Sequence, residues 1–213
     1  MNALNHWELR IAVGLRLGSR LCSPFPCVCG TQMDSRGAHS LACRKSAGRQ
    51  SRHACVNDVV SKAFTRAGIP VVKEPTGLIP GSSLRPDEAT VIPWSGGRCL
   101  AWDVTCPDTV AASHVSACAT IVGAAARNAA SLKLQKYHQL MTTHSFTPLV
   151  FETLGPLSDE TLTVLNILGG RIISKTGDPR ERTFLFQRLS MELQRGNVSC
   201  FLNSIQLDYS DIW

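Results

Sequence analysis

The chain of 213 residues lacks an uninterrupted apolar run that could cross a membrane. Its most apolar long stretch, residues 110–130, contains His114, Arg127 and Asn128, so we predict no membrane span. Residues 1–21 carry three arginines and a glutamate without a continuous apolar core, which is unlike a secretory signal peptide. Internal repeats and low-complexity tracts are also absent. These absences leave one ordinary domain with a small appendage, long enough to bury a hydrophobic core.

The nine cysteines do not predict a disulfide framework, because their number is odd and no signal peptide precedes them. Cysteines 27, 29 and 43 cluster, whereas four others lie singly in apolar segments: Cys55, Cys99, Cys118 and Cys200. Scattered thiols of this kind are typical of a reducing compartment. We therefore expect free cysteines and one metal site.

The excess positive charge is confined to the first quarter of the chain. Of 22 basic and 16 acidic residues, eight and two respectively lie in residues 1–53, which leaves fourteen of each sign elsewhere. A localised basic face is typical of proteins that bind a polyanion such as nucleic acid. We predict nucleic-acid contacts from the basic residues after the cysteine cluster: Arg44, Lys45, Arg49 and Arg52. The alternative is that this modest charge only aids solubility.

The cysteine cluster has the spacing of a zinc site: Cys-x-Cys, nine residues, then His-x-x-x-Cys. Three thiolates and an imidazole would complete a closed tetrahedral set: Cys27, Cys29, His39 and Cys43. A segment this short and polar could hardly fold without the metal. We predict one structural Zn²⁺ here, with Cys22 or His53 as a substitute for one ligand. Chance clustering in a cysteine-rich chain is the competing explanation.

Residues 84–108 read as two strands joined by a turn at residues 95–97. The second strand carries Asp103 among apolar residues, and a hairpin would bring Asp87 of the first strand beside it. Two adjacent carboxylates repel each other unless a cation lies between them, and a hard divalent cation is the usual partner. The pair therefore indicates a metal site. The alternative is that Asp87 caps a turn after Pro86 and Asp103 only ends a strand.

The order Arg85-Pro86-Asp87, a strand-length gap, then Asp103 in a hydrophobic strand resembles the core of the PD-(D/E)XK nucleases. More closely, it resembles the restriction-like endonuclease at the C-terminus of one class of non-LTR retrotransposon (LINE) proteins. Those endonucleases use an Arg/Lys-Pro-Asp motif and a following acid to share a catalytic metal, and they carry a CCHC zinc knuckle just before the nuclease core. The resemblance covers roughly residues 27–197. It implies that Asp87 and Asp103 hold a catalytic Mg²⁺.

One position departs from the nuclease pattern. The general motif has a lysine two residues after the second acid, where this chain has Thr105. A Lys-x-x-Lys-Tyr run, similar to one in the retrotransposon endonucleases, ends the next predicted helix and makes Lys133 and Lys136 nearly equal candidates for the missing catalytic cation. Glu74, in the preceding predicted strand, is a candidate third acid.

The predicted element order is the αβββαβ order of the α/β PD-(D/E)XK core, with a helical C-terminal extension. The elements are a helix over 54–67, a strand over 71–79, the two strands within 84–108, an alanine-rich helix over 111–143, a strand over 146–153 and two final helices, the last of which stops at Gly196-Asn197. We expect three segments: a helical linker over 1–21, a CCHC zinc knuckle over 22–50 and a restriction-like endonuclease domain over 51–213.

The resemblance implies a Mg²⁺-dependent DNA endonuclease of the nucleus, which nicks target DNA so that the 3′-hydroxyl primes reverse transcription. The chain has no Tyr/Phe-x-Asp-Asp motif, so the polymerase would come from a reverse transcriptase region of a longer parent protein. DNA is the expected partner, together with element RNA, and Arg85 is a further expected nucleic-acid contact. Two alternatives remain: a zinc-dependent nucleic-acid-binding module with a dead nuclease core, which Thr105 favours, and a purely structural protein-interaction domain.

Overall fold

The chain is an α/β protein in the computed structural model, which describes residues 4–205. Within these residues the helices are α1 (His6–Leu17), α2 (Gly48–Arg66), α3 (Val115–Thr120), α4 (Ala124–Lys136), α5 (Asp159–Thr176) and α6 (Glu181–Leu202). The strands are β1 (Phe25–Pro26), β2 (Gln32–Met33), β3 (Val71–Lys73), β4 (Glu88–Thr90), β5 (Leu100–Thr105) and β6 (Ser145–Val150). Short 3-10 helices lie at Ala38–Leu41 and Leu140–Thr142. The ends of the predicted linker and endonuclease segments, residues 1–3 and 206–213, lie outside the described residues.

The main sheet is mixed and has the strand order β3-β4-β5-β6. β3 and β4 are antiparallel, as are β4 and β5, whereas β5 and β6 are parallel and are joined by a crossover through α3 and α4. The register pairs Glu88 with Trp102 and Ala89 with Ala101. Asp87, one residue before β4, therefore lies opposite Asp103. The predicted hairpin thus brings the two acids to the same point of the sheet.

The two faces of β5 contact different helices. On one face Trp102 is fully buried and stacks on Phe64 of α2, with the ring centroids 4.5 Å apart. This face belongs to the main core, which α2, α5 and α6 complete. On the other face Ala101 packs with Tyr137, at the end of α4. Because side chains alternate along a strand, Asp103 lies on this α4 face, next to the polar end of the helix.

Helices α2 and α6 approach closely because glycines lie where their backbones meet. A Cβ atom on Gly196 would lie 2.4 Å from Arg52 Cγ, and one on Gly48 would lie 2.4 Å from the backbone nitrogen of Cys200. The prediction that the last helix stops at Gly196-Asn197 is therefore wrong, since α6 continues to Leu202. Gly196 allows close packing inside the helix and does not end it.

The helix predicted over residues 111–143 is two helices. Gly123 adopts a left-handed conformation, with φ at +75°, and separates α3 from α4. Val122, next to Gly123 at this break, is 80% exposed. Glu152, fully buried, accepts a hydrogen bond from the Ala126 amide at 2.9 Å and so satisfies the start of α4 from a distant part of the chain. Helical periodicity alone cannot reveal such a partner.

Two further boundaries differ from the predictions. Strand β3 covers only Val71–Lys73, because Glu74 adopts a left-handed conformation with φ at +43° and ends it. Helix α2 begins at Gly48 and not at residue 54, so it crosses the predicted boundary between residues 50 and 51. No helix among residues 4–205 is both long and apolar enough to span a bilayer.

Candidate metal centres and nucleic-acid interface

The four predicted zinc ligands come together in the structure: Cys27, Cys29, His39 and Cys43 offer ligand atoms that all lie within 4.8 Å of one another. Cys27 Sγ lies 3.6 Å from Cys43 Sγ, and Cys29 Sγ lies 3.1 Å from His39 Nε2. Ligands about 2.3 Å from a tetrahedral zinc ion lie about 3.8 Å from one another. The cluster therefore has the size and the donor atoms of a site for a metal such as zinc.

Two glycine turns form the cluster. Gly30, with φ at +89°, donates a hydrogen bond from its amide to the Cys27 carbonyl at 2.7 Å. This turn reverses the chain between Cys27 and Gly30. Gly37, with φ at +71°, starts the 3-10 helix that carries His39. Residues with side chains rarely adopt these positive φ values. The short loop therefore closes with only two turns.

The thiols of the cluster differ in how readily they ionise. Burial raises the pKa of the Cys27 thiol to about 12, whereas hydrogen bonding to Thr31 lowers the pKa of Cys29 to about 6. Cys27 and Cys43 are almost completely buried and touch each other. A metal is the partner that allows such buried neighbouring thiols to ionise together.

The two substitute ligands are engaged elsewhere. Cys22 Sγ donates to the backbone carbonyl of Asp34 at 3.7 Å. His53 lies in α2, where it binds Asp87 and takes no part in the cysteine cluster. The structure thus selects His39 and the three clustered cysteines from the alternatives that the sequence left open.

We expect one zinc ion per chain in protein prepared under reducing conditions. Structural zinc in short segments contributes about 10 kcal/mol of folding free energy, and each kcal/mol shifts Tm by about 2–4 °C in a chain of this size. Cys43→Ser should therefore lose the zinc and lower Tm by at least about 10 °C, whereas Cys118→Ser, outside the cluster, should change neither. Elemental analysis that finds no zinc in the wild-type protein would refute this assignment.

The second candidate centre lies where β4 and β5 separate. Asp87 Oδ2 accepts hydrogen bonds from the Val104 amide at 2.6 Å and from His53 Nε2 at 3.0 Å. The Asp87 carboxylate thus serves as the acceptor for a β5 backbone amide beyond the end of β4. Opposite it, the Asp103 side chain is only 7% exposed. We call this group, Asp87, Asp103 and the side chains that bind them, the acid site.

The structure places Lys133, and not Lys136, at the acid site. Lys133 Nζ lies 2.6 Å from Asp103 Oδ1, and its side chain is 22% exposed. Lys136 is exposed, and its Nζ lies 4.8 Å from the centre of the Tyr137 ring. Lys133 lies four residues before Tyr137 and therefore shares with it the face of the helix that meets β5, whereas Lys136 does not.

Two residues of the acid site were not predicted. The Tyr137 hydroxyl lies 2.6 Å from Asp103 Oδ2 and 2.8 Å from the Arg85 carbonyl, and burial together with Asp103 raises the pKa of this tyrosine. The hydrogen bond to Asp87 raises the pKa of His53. The four-residue spacing from Lys133 was a signal for Tyr137. Nothing in the sequence indicated His53, which reaches Asp87 from another element.

The carboxylate of Glu74 does not join the acid site. It is 68% exposed and forms an ion pair with Arg85 at 3.4 Å on the surface. Only the Glu74 backbone is close, because its amide donates to the Asp87 carbonyl at 2.7 Å. Arg85, predicted to contact nucleic acid, is 55% exposed, and its guanidinium pairs with Glu74.

A cavity of about 570 Å³ lies beside the acid site. Its walls include the basic segment 44–50 of the chain and, from the other side, Thr105 at the end of β5 and His53. Arg44, Lys45 and Arg49 are exposed there, as a nucleic-acid contact requires. Three of the predicted basic residues therefore line a cavity that also contains His53, the partner of Asp87.

Arg52 is an exception among the predicted contacts. It is only 2% exposed, and its guanidinium donates to Asn197 Oδ1 at 3.0 Å and to the Leu41 carbonyl at 3.2 Å. Arg52 packs against Gly196 and forms part of the cavity wall, but almost none of its surface is exposed. The prediction of a direct nucleic-acid contact at Arg52 is corrected to a buried residue that joins α2 to α6.

A scan of protein-family models finds no family that matches the chain, and a search of the curated proteins finds no match either.

Proposed function

We propose that the chain is a Mg²⁺-dependent DNA endonuclease, related to the restriction-like endonucleases of non-LTR retrotransposons. It would nick nuclear target DNA, while a reverse transcriptase region of a longer parent protein would extend the cut end on element RNA. The observation that carries the proposal is the acid site: Asp87 lies opposite Asp103, and a lysine contacts the second acid. The order α2-β3-β4-β5-α4-β6, with β6 parallel to β5, supports assignment to the PD-(D/E)XK fold.

The acid site suits a hard cation. Asp87 Oδ1 accepts no hydrogen bond from residues 4–205, and the Asp87 side chain is 23% exposed, so this oxygen is available as a ligand. Asp103 would supply the second carboxylate. When bound there, Mg²⁺ would activate a water molecule and stabilise charge on the phosphate.

The protein side chains have separate roles in this proposal. Lys133 takes the place of the lysine that Thr105 replaces, and its ammonium would neutralise charge that develops on the phosphate. The Tyr137 hydroxyl holds one oxygen of Asp103, and the Val104 amide holds one oxygen of Asp87. These two hydrogen bonds fix the direction of both carboxylates. His53 fixes Asp87 from the side of the cavity.

The basic segment would supply the salt-dependent part of DNA binding. Each phosphate contact contributes about 0.9 to the slope of log K against log salt concentration. Neutralising Arg44, Lys45 and Arg49 together should therefore reduce this slope by about 2–3. Three other exposed cations that do not line the cavity provide the matched control: Lys62, Arg98 and Lys175. An equal loss of slope in both triple variants, measured by fluorescence anisotropy with duplex DNA, would place the footprint elsewhere.

One observation favours a second function, a zinc-dependent nucleic-acid-binding module without catalysis. Both oxygens of Asp103 already have protein partners, Lys133 and Tyr137, and Thr105 stands where the motif has lysine. A module of this kind would keep the same DNA affinity and salt dependence as the endonuclease. Only strand cleavage separates the two functions.

The chemistry of the nick tests the retrotransposon-type function. The proposed enzyme should leave a 3′-hydroxyl, which a purified polymerase extends directly from the nick. Supercoiled plasmid treated with the protein and Mg²⁺ should therefore incorporate labelled nucleotide without prior end repair. A nick that requires removal of a 3′-phosphate before extension would contradict a priming role.

A further inference from the structure

The cavity beside the acid site contains the uncapped start of a long helix. Helix α2 has 19 residues, its N-cap residue Ala47 makes no side-chain cap, and its first turn holds no acidic residue. The Gly48 and Gln50 amides have no hydrogen-bond acceptor among residues 4–205. Free amides and the helix dipole together favour an anion at this end.

A buried cation in the cavity wall independently indicates an anion. Arg52 lines the cavity, is only 2% exposed and has no carboxylate within ion-pair distance among the described residues. Its guanidinium binds neutral acceptors, and its Nε atom is buried without any hydrogen-bond partner. A buried charge without a directly paired counter-ion is costly. The buried carboxylate of Asp108 interacts with Arg52 only from beyond ion-pair distance, so an anion in the adjoining cavity would add the close negative charge that Arg52 lacks.

The position of the cavity determines which anion fits the proposed chemistry. Thr105 borders it and lies two residues from Asp103 on β5, about 6.6 Å along the strand. His53 also borders it and binds Asp87. An anion held in the cavity would therefore be a close neighbour of a phosphodiester at the acid site.

We infer that this cavity is a subsite for one backbone phosphate of the cleaved DNA strand, adjacent to the scissile phosphate. The inference rests on the proposed endonuclease function and assigns the recognition to the start of α2, Gln50 and the exposed cations Arg44, Lys45 and Arg49. Arg52 contributes through its charge and not through direct contact. The basic segment thus forms a defined site and is more than a diffuse positive surface.

The test uses Gln50→Glu in the full chain, with inorganic phosphate as the probe. The substitution keeps the size of the side chain and introduces a negative charge into the cavity. An acid at this third helical position favours the helix, so folding should be retained. Gln187→Glu is the control, because Gln187 is exposed on α6 and does not line the cavity.

Titration calorimetry at constant ionic strength, with chloride as the balancing anion and no Mg²⁺, should show one phosphate site in the wild-type protein. Gln50→Glu should weaken phosphate binding at least tenfold, and Gln187→Glu should change it less than twofold. The absence of saturable phosphate binding in the wild type, or equal affinities in the two variants, would overturn the subsite.

Plasmid nicking, measured separately, distinguishes failure of the subsite from failure of the endonuclease. A wild-type protein that nicks DNA but does not bind phosphate as described refutes the subsite and leaves the enzyme intact. A protein that shows the expected phosphate binding but never nicks supports the subsite as part of a binding module and refutes the enzyme.

Discussion

Asp103→Asn and Asp87→Asn should each lower the rate of DNA nicking by at least about a thousandfold. Asparagine keeps the shape of each side chain but removes the negative charge that would hold the cation. A catalytic metal contributes several kcal/mol to transition-state stabilisation, and each 1.4 kcal/mol is about a factor of ten in rate. The affinity for duplex DNA should change less than twofold, because the basic segment lies outside the acid pair.

Asp58→Asn is the matched control for these two variants. Asp58 is also an acid near the sheet, on α2, but it forms ion pairs with Lys62 and Lys73 and has no contact with the acid site. It should nick at the wild-type rate. Circular dichroism and Tm should confirm that all three variants are folded, since Asp103→Asn leaves the partly buried Lys133 without its carboxylate. Nicking at the wild-type rate by either acid-site variant would exclude the proposed chemistry.

Lys133→Met should lower the nicking rate by about 10²–10³-fold, the usual effect of removing one group that stabilises transition-state charge. Lys136→Met should change it less than twofold. The difference follows from position alone: Lys133 Nζ contacts Asp103 at 2.6 Å, whereas Lys136 is exposed above the Tyr137 ring. Methionine keeps the apolar stem of lysine, so loss of packing is small in both variants.

Two readouts make the lysine comparison specific. Mn²⁺ binding, followed by electron paramagnetic resonance, should persist in Lys133→Met, because the two carboxylates remain. The single-turnover rate should fall at saturating DNA and saturating metal. Equal effects of the two substitutions in an active protein would mean that another group supplies the catalytic cation.

The parts of the site that the sequence predicted are those set by local spacing. The candidate metal ligands lie within residues 27–43, and two glycines with left-handed backbone bend this short loop so that three thiols and an imidazole come together. The acids came from a hairpin, where alternation and register follow from the strands themselves. In both cases the residues that must meet are close along the chain.

The parts that sequence reasoning missed depend on contacts between distant elements. Lys133 and Lys136 lie within one helical turn, and only the docking angle of α4 on β5 chooses between them. Arg52 looked like one more surface cation, but Asn197, far along the chain, and the close approach at Gly196 bury it. The proximity of His53 to the cysteines in sequence makes it a candidate zinc ligand, whereas α2 carries it to Asp87. Residue type and periodicity contain no information on such partners.

The most direct test of the endonuclease proposal is the conversion of supercoiled plasmid to open circles by the wild-type protein over a range of Mg²⁺ concentrations. The Asp87→Asn/Asp103→Asn double variant, purified in parallel, controls for contaminating nucleases. We predict that open circles accumulate only with the wild-type protein, that the rate saturates with Mg²⁺, and that chelation of Mg²⁺ stops the reaction. A wild-type protein that binds the plasmid but leaves it supercoiled with both Mg²⁺ and Mn²⁺ would contradict the proposal and identify the chain as a binding module.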